Sequence, residues 1–157
     1  MPYHYNNIID HFTGNIDNRL RTKEEEYTND YSTPIPSEVK NVLEALIDET
    51  MHDFKKHYYM TTETQRKLLF QLVKLFRCSR IHEIGTFTGV AAITMASAIP
   101  SSSSTSSAKN GDQQGHDDKL ISLEMDPKAI AVAQKYAKQL KCLENRIEFV
   151  LGPAMER

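Results

Sequence analysis

Between residues 80 and 89 a short apolar run meets two glycines: Arg80-Ile81-His82-Glu83-Ile84, then Gly85-Thr86-Phe87-Thr88-Gly89. The next segment, Val90 to Ile99, is small and apolar, and Pro100 stops it. An apolar run of this length bounded by glycine predicts a buried parallel strand, and the segment after it a helix. A strand, tight turn and helix in that order call for a second parallel strand downstream. The sequence supplies two. Leu120-Ile121-Ser122-Leu123-Glu124 is the first, and Arg146 to Leu151, ended by Gly152-Pro153, is the second. Between them Asp126-Pro127 predicts an N-cap with proline at the first helical position, where its missing N–H has no partner to lose. Ile130, Ala133, Tyr136, Ala137 and Leu140 then line a helix.

Upstream of the strands the period changes to that of helices. Thr33-Pro34-Ile35-Pro36 cannot continue a helix. After it Ser37 has the character of an N-cap, and Val39, Val42, Leu43, Leu46, Ile47, Met51 and Phe54 recur at helical spacing. Thr62-Glu63-Thr64-Gln65 fits a capping box, and Leu68, Leu69, Leu72, Val73 and Phe76 form the predicted buried face of the helix it opens, which Arg77-Cys78-Ser79 ends. Residues 1–33 read as a polar N-terminal arm whose charged run, Arg19 to Glu26, is a solvated helix face or a mobile arm. The fold class is therefore α/β: N-terminal helices followed by β-α-β-α-β, the first half of a doubly wound parallel sheet. The domain proper spans residues 34–157, with one interruption. Ser101 to Asp118 begins with seven hydroxyl residues and stays polar, so it cannot bury enough to offset its ordering and is predicted to be a disordered insert.

Charge and cysteine content exclude several classes of partner. Nineteen basic against 21 acidic residues give a net charge of −2, with no basic patch for nucleic acid or an anionic membrane. No segment has the length of a membrane span and the N-terminus has no signal-peptide pattern. Cys78 and Cys142 form no short-spaced pair and read as packing thiols of a reduced, cytoplasmic protein. The six histidines have no metal-ligand spacing.

Open α/β sheets bind ligands at the carboxyl ends of their strands. Gly85 lets the chain turn sharply there and lets a ligand approach the backbone, and Gly89 lets the helix pack close to the strand. The absence of a full G-x-G-x-x-G argues against a pyrophosphate cradle and against NAD. Glu124 ends the second strand, where an acid can accept both ribose hydroxyls. The usual separation from the glycine turn is about 20 residues. Gly85 and Glu124 stand 39 apart, and 21 once Ser101–Asp118 is set aside. A solvated strand end is the alternative for Glu124, and Asp126 competes for the role but is placed as the cap.

These segments resemble the caffeoyl-CoA O-methyltransferase-like family, related to catechol O-methyltransferase. The resemblance runs through Tyr59-Met60-Thr61-Thr62, Glu83-Ile84-Gly85-Thr86-Phe87-Thr88-Gly89, Leu123-Glu124-Met125-Asp126-Pro127, Arg146-Ile147-Glu148-Phe149 and Gly152-Pro153-Ala154. It implies a Rossmann-like methyltransferase sheet, S-adenosylmethionine as methyl donor, and a phenolic hydroxyl of a catechol or caffeoyl-type small molecule as acceptor. It implies that Thr62 touches the methionine part of the cofactor, with its capping role as the structural alternative. It implies further that Glu83 and Gly85 contact the cofactor, Thr86 offers a backbone amide, Gly89 completes the turn, Glu124 takes the ribose and Ala154 lies beside the adenine. A homodimer is an assembly common among such relatives.

The sequence departs from the family in two places. Tyr-Ser usually follows the second glycine, and here it is Val90-Ala91, so a hydroxyl contact is lost at Ala91, worth about 1 kcal/mol. The aspartate-rich motif that supplies ligands for a divalent cation, magnesium, does not occur in this sequence. No catalytic residue or metal ligand is therefore assigned, and three readings follow: an O-methyltransferase lacking its metal-binding half, an inactive cofactor-binding or partner-binding remnant of one, or a different methyltransferase whose missing half another chain supplies.

Overall fold

The computed structural model describes residues 18–100 and 118–156, with side chains from Lys23 to Met155. The arm as far as residue 17 and the insert as far as Asp117 lie outside the described residues. Five helices and three strands follow in the order α1 (Asn18–Tyr31), α2 (Ser37–Asp53), α3 (Glu63–Phe76), β1 (Arg80–Ile84), α4 (Val90–Ala98), β2 (Lys119–Glu124), α5 (Pro127–Ala137) and β3 (Ile147–Leu151). Short 3₁₀ turns at His57–Tyr59, Lys141–Leu143 and Ala154–Glu156 join or follow them. The strands form one parallel sheet in the order β1-β2-β3, the β-α-β-α-β half-sheet that the apolar runs predict.

Both crossovers step in the same direction along the sheet, and right-handed connections then place α4 and α5 on one face. The register fixes which side chains meet them. Ile81, Leu120 and Ile147 form one inward row and Glu83, Ser122 and Phe149 the next. Leu120 and Ser122 are fully buried, as are Ala92, Ile93 and Ala96 of α4 and Ala129 and Ala133 of α5. α2 closes this layer with Val39, Leu43 and Leu46. It is tied to α5 where the Tyr136 hydroxyl donates to Glu49 at 2.7 Å and where Lys135 pairs with the same carboxylate at 2.5 Å.

The structure corrects the sequence reading in five places. β1 is not buried: it pairs only with β2 among the described residues, alternates exposed with half-buried, and leaves Ile84 78% exposed. The buried face of α3 is Phe70 and Val73 with Leu69 partly covered, whereas Leu68, Leu72 and Phe76 are exposed, because α3 rests on α4 and α1 through its other side. Ser37 is not a cap. Pro36 holds the N-cap position of α2, and no side chain caps it. Cys78 packs partly against the core, but Cys142 is exposed, and both thiols are free. Finally, the close approach at Gly89 is to α5 and not to the strand.

A Cβ built on Gly89 would fall 2.7 Å from the Cβ of Ala133, and Gly89 has φ +90°. Gly85 has the same φ of +90° but nothing within 4 Å of a built Cβ. Gly85→Ala should therefore cost only the left-handed conformation, about 1–2 kcal/mol. Gly89→Ala should add an overpacking cost of about 1–3 kcal/mol. Urea unfolding of the two variants checks this, and equal losses would show that the contact with α5 does not tighten the turn.

Candidate functional site

Three short segments meet at the carboxyl ends of the strands: the turn after β1, the end of β2, and Gly152 after β3. Backbone bonds draw them together. Gly85 and Thr86 donate to the Leu123 carbonyl at 2.9 and 3.1 Å, and Gly152 donates to the Glu124 carbonyl at 2.8 Å. The turn itself is costly to form. Gly85 and Gly89 both have φ +90°, and Phe87 has φ +49°, a left-handed conformation disfavoured for a side chain of that size.

Side chains from three directions hold that conformation. Glu124 reaches across from β2, and its Oε2 accepts the Phe87 N–H at 2.6 Å. Its Oε1 accepts the Met125 and Asp126 amides at 2.7 and 3.0 Å. From α2, the buried hydroxyl of Thr50 bonds that of Thr88 at 2.9 Å. Beyond α2, the Phe54 ring meets the Phe87 ring edge-on with centroids 5.3 Å apart. Beneath the turn, Thr86 Oγ1 lies 2.5 Å from Ser122 Oγ, and Ser122 donates to the Glu83 carboxylate.

Glu83 is the perturbed acid of this cluster. Burial pushes its pKa up to about 7, partly opposed by the hydrogen bond from Ser122 and aided by the nearby negative charge of Glu124. Glu83 shares the inward row with fully buried Ser122 and is itself partly buried, so desolvation of its charged form outweighs one hydroxyl donor.

The residues singled out in the sequence fall into two groups. Gly85, Thr86, Gly89, Ala91 and Glu124 gather about the turn. A small cavity of about 40 Å³ opens against it, lined by Tyr59, Met60, Thr61, Gly85 to Thr88, Val90 and Ala91. Ala154 begins the 3₁₀ turn two residues after Gly152 and is half-buried. Thr62 caps α3, accepting from Gln65 N–H at 3.3 Å while its own N–H donates to Gln65 Oε1 at 2.9 Å. The preceding residue, Thr61, lines the cavity. Asp126 is the cap of α5, accepting from Lys128 N–H at 2.8 Å. A much larger cavity, about 670 Å³, runs between α5 and β3 past Leu140, Leu143 and Phe149. Its lining includes neither the glycine turn nor Glu124.

Sequence reasoning did not find Thr50, Phe54, Phe87, Thr88 or Ser122 as parts of the site. The legible signals were a threonine within the apolar stripe of α2 and a serine within an apolar strand, both polar residues at core positions. Among the described residues there is no group of three or more His, Cys, Asp or Glu side chains placed to hold a metal ion, and no helix long and apolar enough to cross a membrane.

A parallel half-sheet with a glycine turn after its first strand defines the class as a Rossmann-like α/β domain. The sequence profile of the O-methyltransferase family matches residues 33–157, and the chain belongs to that family. It is 42% identical over 92 residues to a catechol O-methyltransferase of Niastella koreensis, a match covering 59% of this chain and 34% of that protein. Solved structures share the fold. A Podospora anserina methyltransferase bound to S-adenosylhomocysteine superposes with a TM-score of 0.68 at 19% identity, over 89% of this chain and 52% of that one. The Bacillus cereus O-methyltransferase in complex with S-adenosylhomocysteine gives 0.60 at 23% identity, over 85% and 51%. TomG of Streptomyces achromogenes, in complex with S-adenosylmethionine, gives 0.64 at 20% identity, over 90% and 54%. The chain thus spans about a third of the curated relative and about half of each solved structure.

The raised pKa of Glu83 has a defined consequence for stability. Between its ordinary 4.5 and about 7 the folded state holds a proton that the unfolded state has lost. Stability should therefore fall as pH rises through that window and level off above it. Glu83→Gln keeps an acceptor for Ser122 without the charge, so it should flatten this dependence and melt above the parent protein at pH 8. Thermal melts from pH 4.5 to 8.5 measure the difference, and parallel curves for the two proteins would refute the assignment.

Proposed function

We propose that this chain is the cofactor-holding part of an S-adenosylmethionine-dependent O-methyltransferase whose acceptor is a phenolic hydroxyl of a catechol or caffeoyl-type molecule. The observation that carries the reading is the glycine turn gripped by Glu124 at the carboxyl ends of β1 and β2. S-adenosylmethionine supplies an electrophilic methyl group on a sulfonium.

The residues fit that task. Gly85 leaves open space above its backbone, where the donor can lie against the turn. Thr86 presents the turn from a fixed position, because its hydroxyl is anchored to Ser122. Glu124 takes a ribose hydroxyl in this reading. A carboxylate offers about four lone-pair sites, and three backbone amides already use this one. One direction is left, so Glu124 accepts one ribose O–H while it continues to hold the turn. Gly152-Pro153-Ala154 follows β3 beside Glu124 and forms the adenine side.

The phenolic acceptor is supported by family membership and by the Niastella koreensis relative named for catechol. A divalent cation does not fit the described residues, among which no three His, Cys, Asp or Glu side chains are grouped to hold one. A homodimer remains part of the proposal on family grounds, and a cytoplasmic location on the reading of Cys78 and Cys142 as reduced thiols.

Titration calorimetry with S-adenosylhomocysteine tests the reading. Glu124→Ala should lose about 1.5–3 kcal/mol of affinity, the worth of a hydrogen bond to a charged group, and should also lower the melting temperature because Phe87 N–H loses its acceptor. Asp126→Ala should cost about 1 kcal/mol of stability as a lost cap and leave affinity unchanged. Equal affinity losses in both variants would remove Glu124 from the ribose role, and no binding by the parent chain would remove the cofactor.

A further inference from the structure

The two walls of the turn-lined cavity come from segments far apart in the chain, and one residue is bonded to both. Phe54 follows the last residue of α2 and is buried. Its ring meets the ring of Phe87, in the glycine-turn wall, edge-on at 5.3 Å. Its carbonyl accepts the His57 N–H at 3.2 Å, and the His57 carbonyl accepts the Met60 N–H at 3.0 Å. Met60 and its neighbours Tyr59 and Thr61 are the other wall. A shift of Phe54 therefore moves both. The turn has little stiffness of its own to resist such a shift, since Phe87 sits at φ +49°, where a bulky residue is disfavoured.

Lys128, the second residue of α5, fixes Phe54. Its ammonium lies 4.6 Å from the Phe54 ring centre and donates to the Asp53 carbonyl at 3.0 Å. That carbonyl ends α2, where the helix supplies no donor and the dipole is negative. The contacts close a circuit. Phe87 N–H donates to Glu124, which also takes the Asp126 amide; Asp126 takes the Lys128 amide; Lys128 holds Phe54, and Phe54 meets Phe87 again. Yet Lys128 is exposed and lines neither wall. Lys135, seven residues further along α5, makes a comparable link to α2 by pairing with Glu49 at 2.5 Å and lying 5.0 Å from the Tyr136 ring centre, and it is not part of this circuit.

We infer that Lys128 is a positioning residue of the ligand site, acting through Phe54 to hold the glycine turn and the Tyr59–Thr61 segment at a fixed spacing. Affinity falls with the fraction of molecules that hold the binding conformation, so a side chain outside the cavity sets how tightly the ligand binds. The inference rests on the S-adenosylmethionine reading above and adds to it a residue that does not line the site.

The test uses residues 1–157 with Lys128→Met, Lys128→Arg and Lys135→Met, titrated with S-adenosylhomocysteine and compared without ligand by amide chemical shifts. Lys128→Met, which keeps the apolar stem and loses the cation, should bind about fivefold more weakly, the scale of one such cation–ring contact. Lys128→Arg should stay within about twofold of the parent. Lys135→Met removes the same charge from the same helix and should also stay within about twofold. Without ligand, Lys128→Met should shift the amides of Phe87, Thr88 and His57 to Thr61 together, and Lys135→Met should leave them in place. In a Phe54→Leu background, Lys128→Met should cost no further affinity. Equal affinity losses in Lys128→Met and Lys135→Met overturn the inference, because they report charge or stability alone. So does an unchanged affinity in Lys128→Met, or a full fivefold loss that persists beside Phe54→Leu. A parent chain that does not bind S-adenosylhomocysteine overturns the cofactor reading instead, and the ligand-free shifts still judge the brace: unmoved Phe87 and Met60 amides in Lys128→Met overturn it.

Discussion

The hydrogen bond from Phe87 N–H to Glu124 is the contact on which the site depends. At 2.6 Å it joins the turn after β1 to the end of β2, and it does so at a residue whose left-handed backbone needs support. A charged acceptor makes such a bond stronger than a neutral one. Without it, three positive-φ positions within five residues would have only the glycines' tolerance in their favour. The same carboxylate gathers the Met125 and Asp126 amides, so the turn and the entry to α5 are organised by one side chain.

The N-terminal helices gain a role from this arrangement. Thr50 and Phe54, at the end of α2, reach Thr88 and Phe87 of the turn. Lys128 of α5 lies 4.6 Å from the Phe54 ring centre and donates to the Asp53 carbonyl at 3.0 Å. The end of α2 is thereby clamped between the turn and α5. α2 braces the site as well as closing the core, and Met60 and Thr61, just before α3, complete the cavity wall.

Much of this was legible in the sequence. The strand-turn-helix pattern placed β1, the turn and α4, whereas the spacing between Gly85 and Glu124 singled out that acid for a ribose and gave no sign of its bond to Phe87 N–H. Asp126-Pro127 and Thr62-Gln65 announced their helix starts correctly, because capping is a local interaction between residues two or three apart. What the sequence concealed is tertiary. Periodicity made Leu68, Leu72 and Phe76 look buried, but which stripe of α3 is covered depends on its neighbours. Gly89 was assigned a close approach, yet the partner, Ala133, lies 44 positions away and no local rule names it. Thr61 and Thr62 show the limit most sharply. The motif draws attention to both, and only the geometry separates the one engaged in capping from the one whose hydroxyl is left unbonded among the described residues.

The central claim is that the small, turn-lined cavity is the ligand site and the 670 Å³ groove beside β3 is not. Amide chemical-shift mapping on the isotopically labelled chain tests it directly, by adding S-adenosylhomocysteine and following every backbone N–H. The account predicts that the perturbed amides cluster at Gly85 to Ala91, Thr61 and the end of β2, with Leu140, Leu143 and Phe149 unmoved. Shifts concentrated along Leu140, Leu143 and Phe149, with the glycine turn silent, would contradict it.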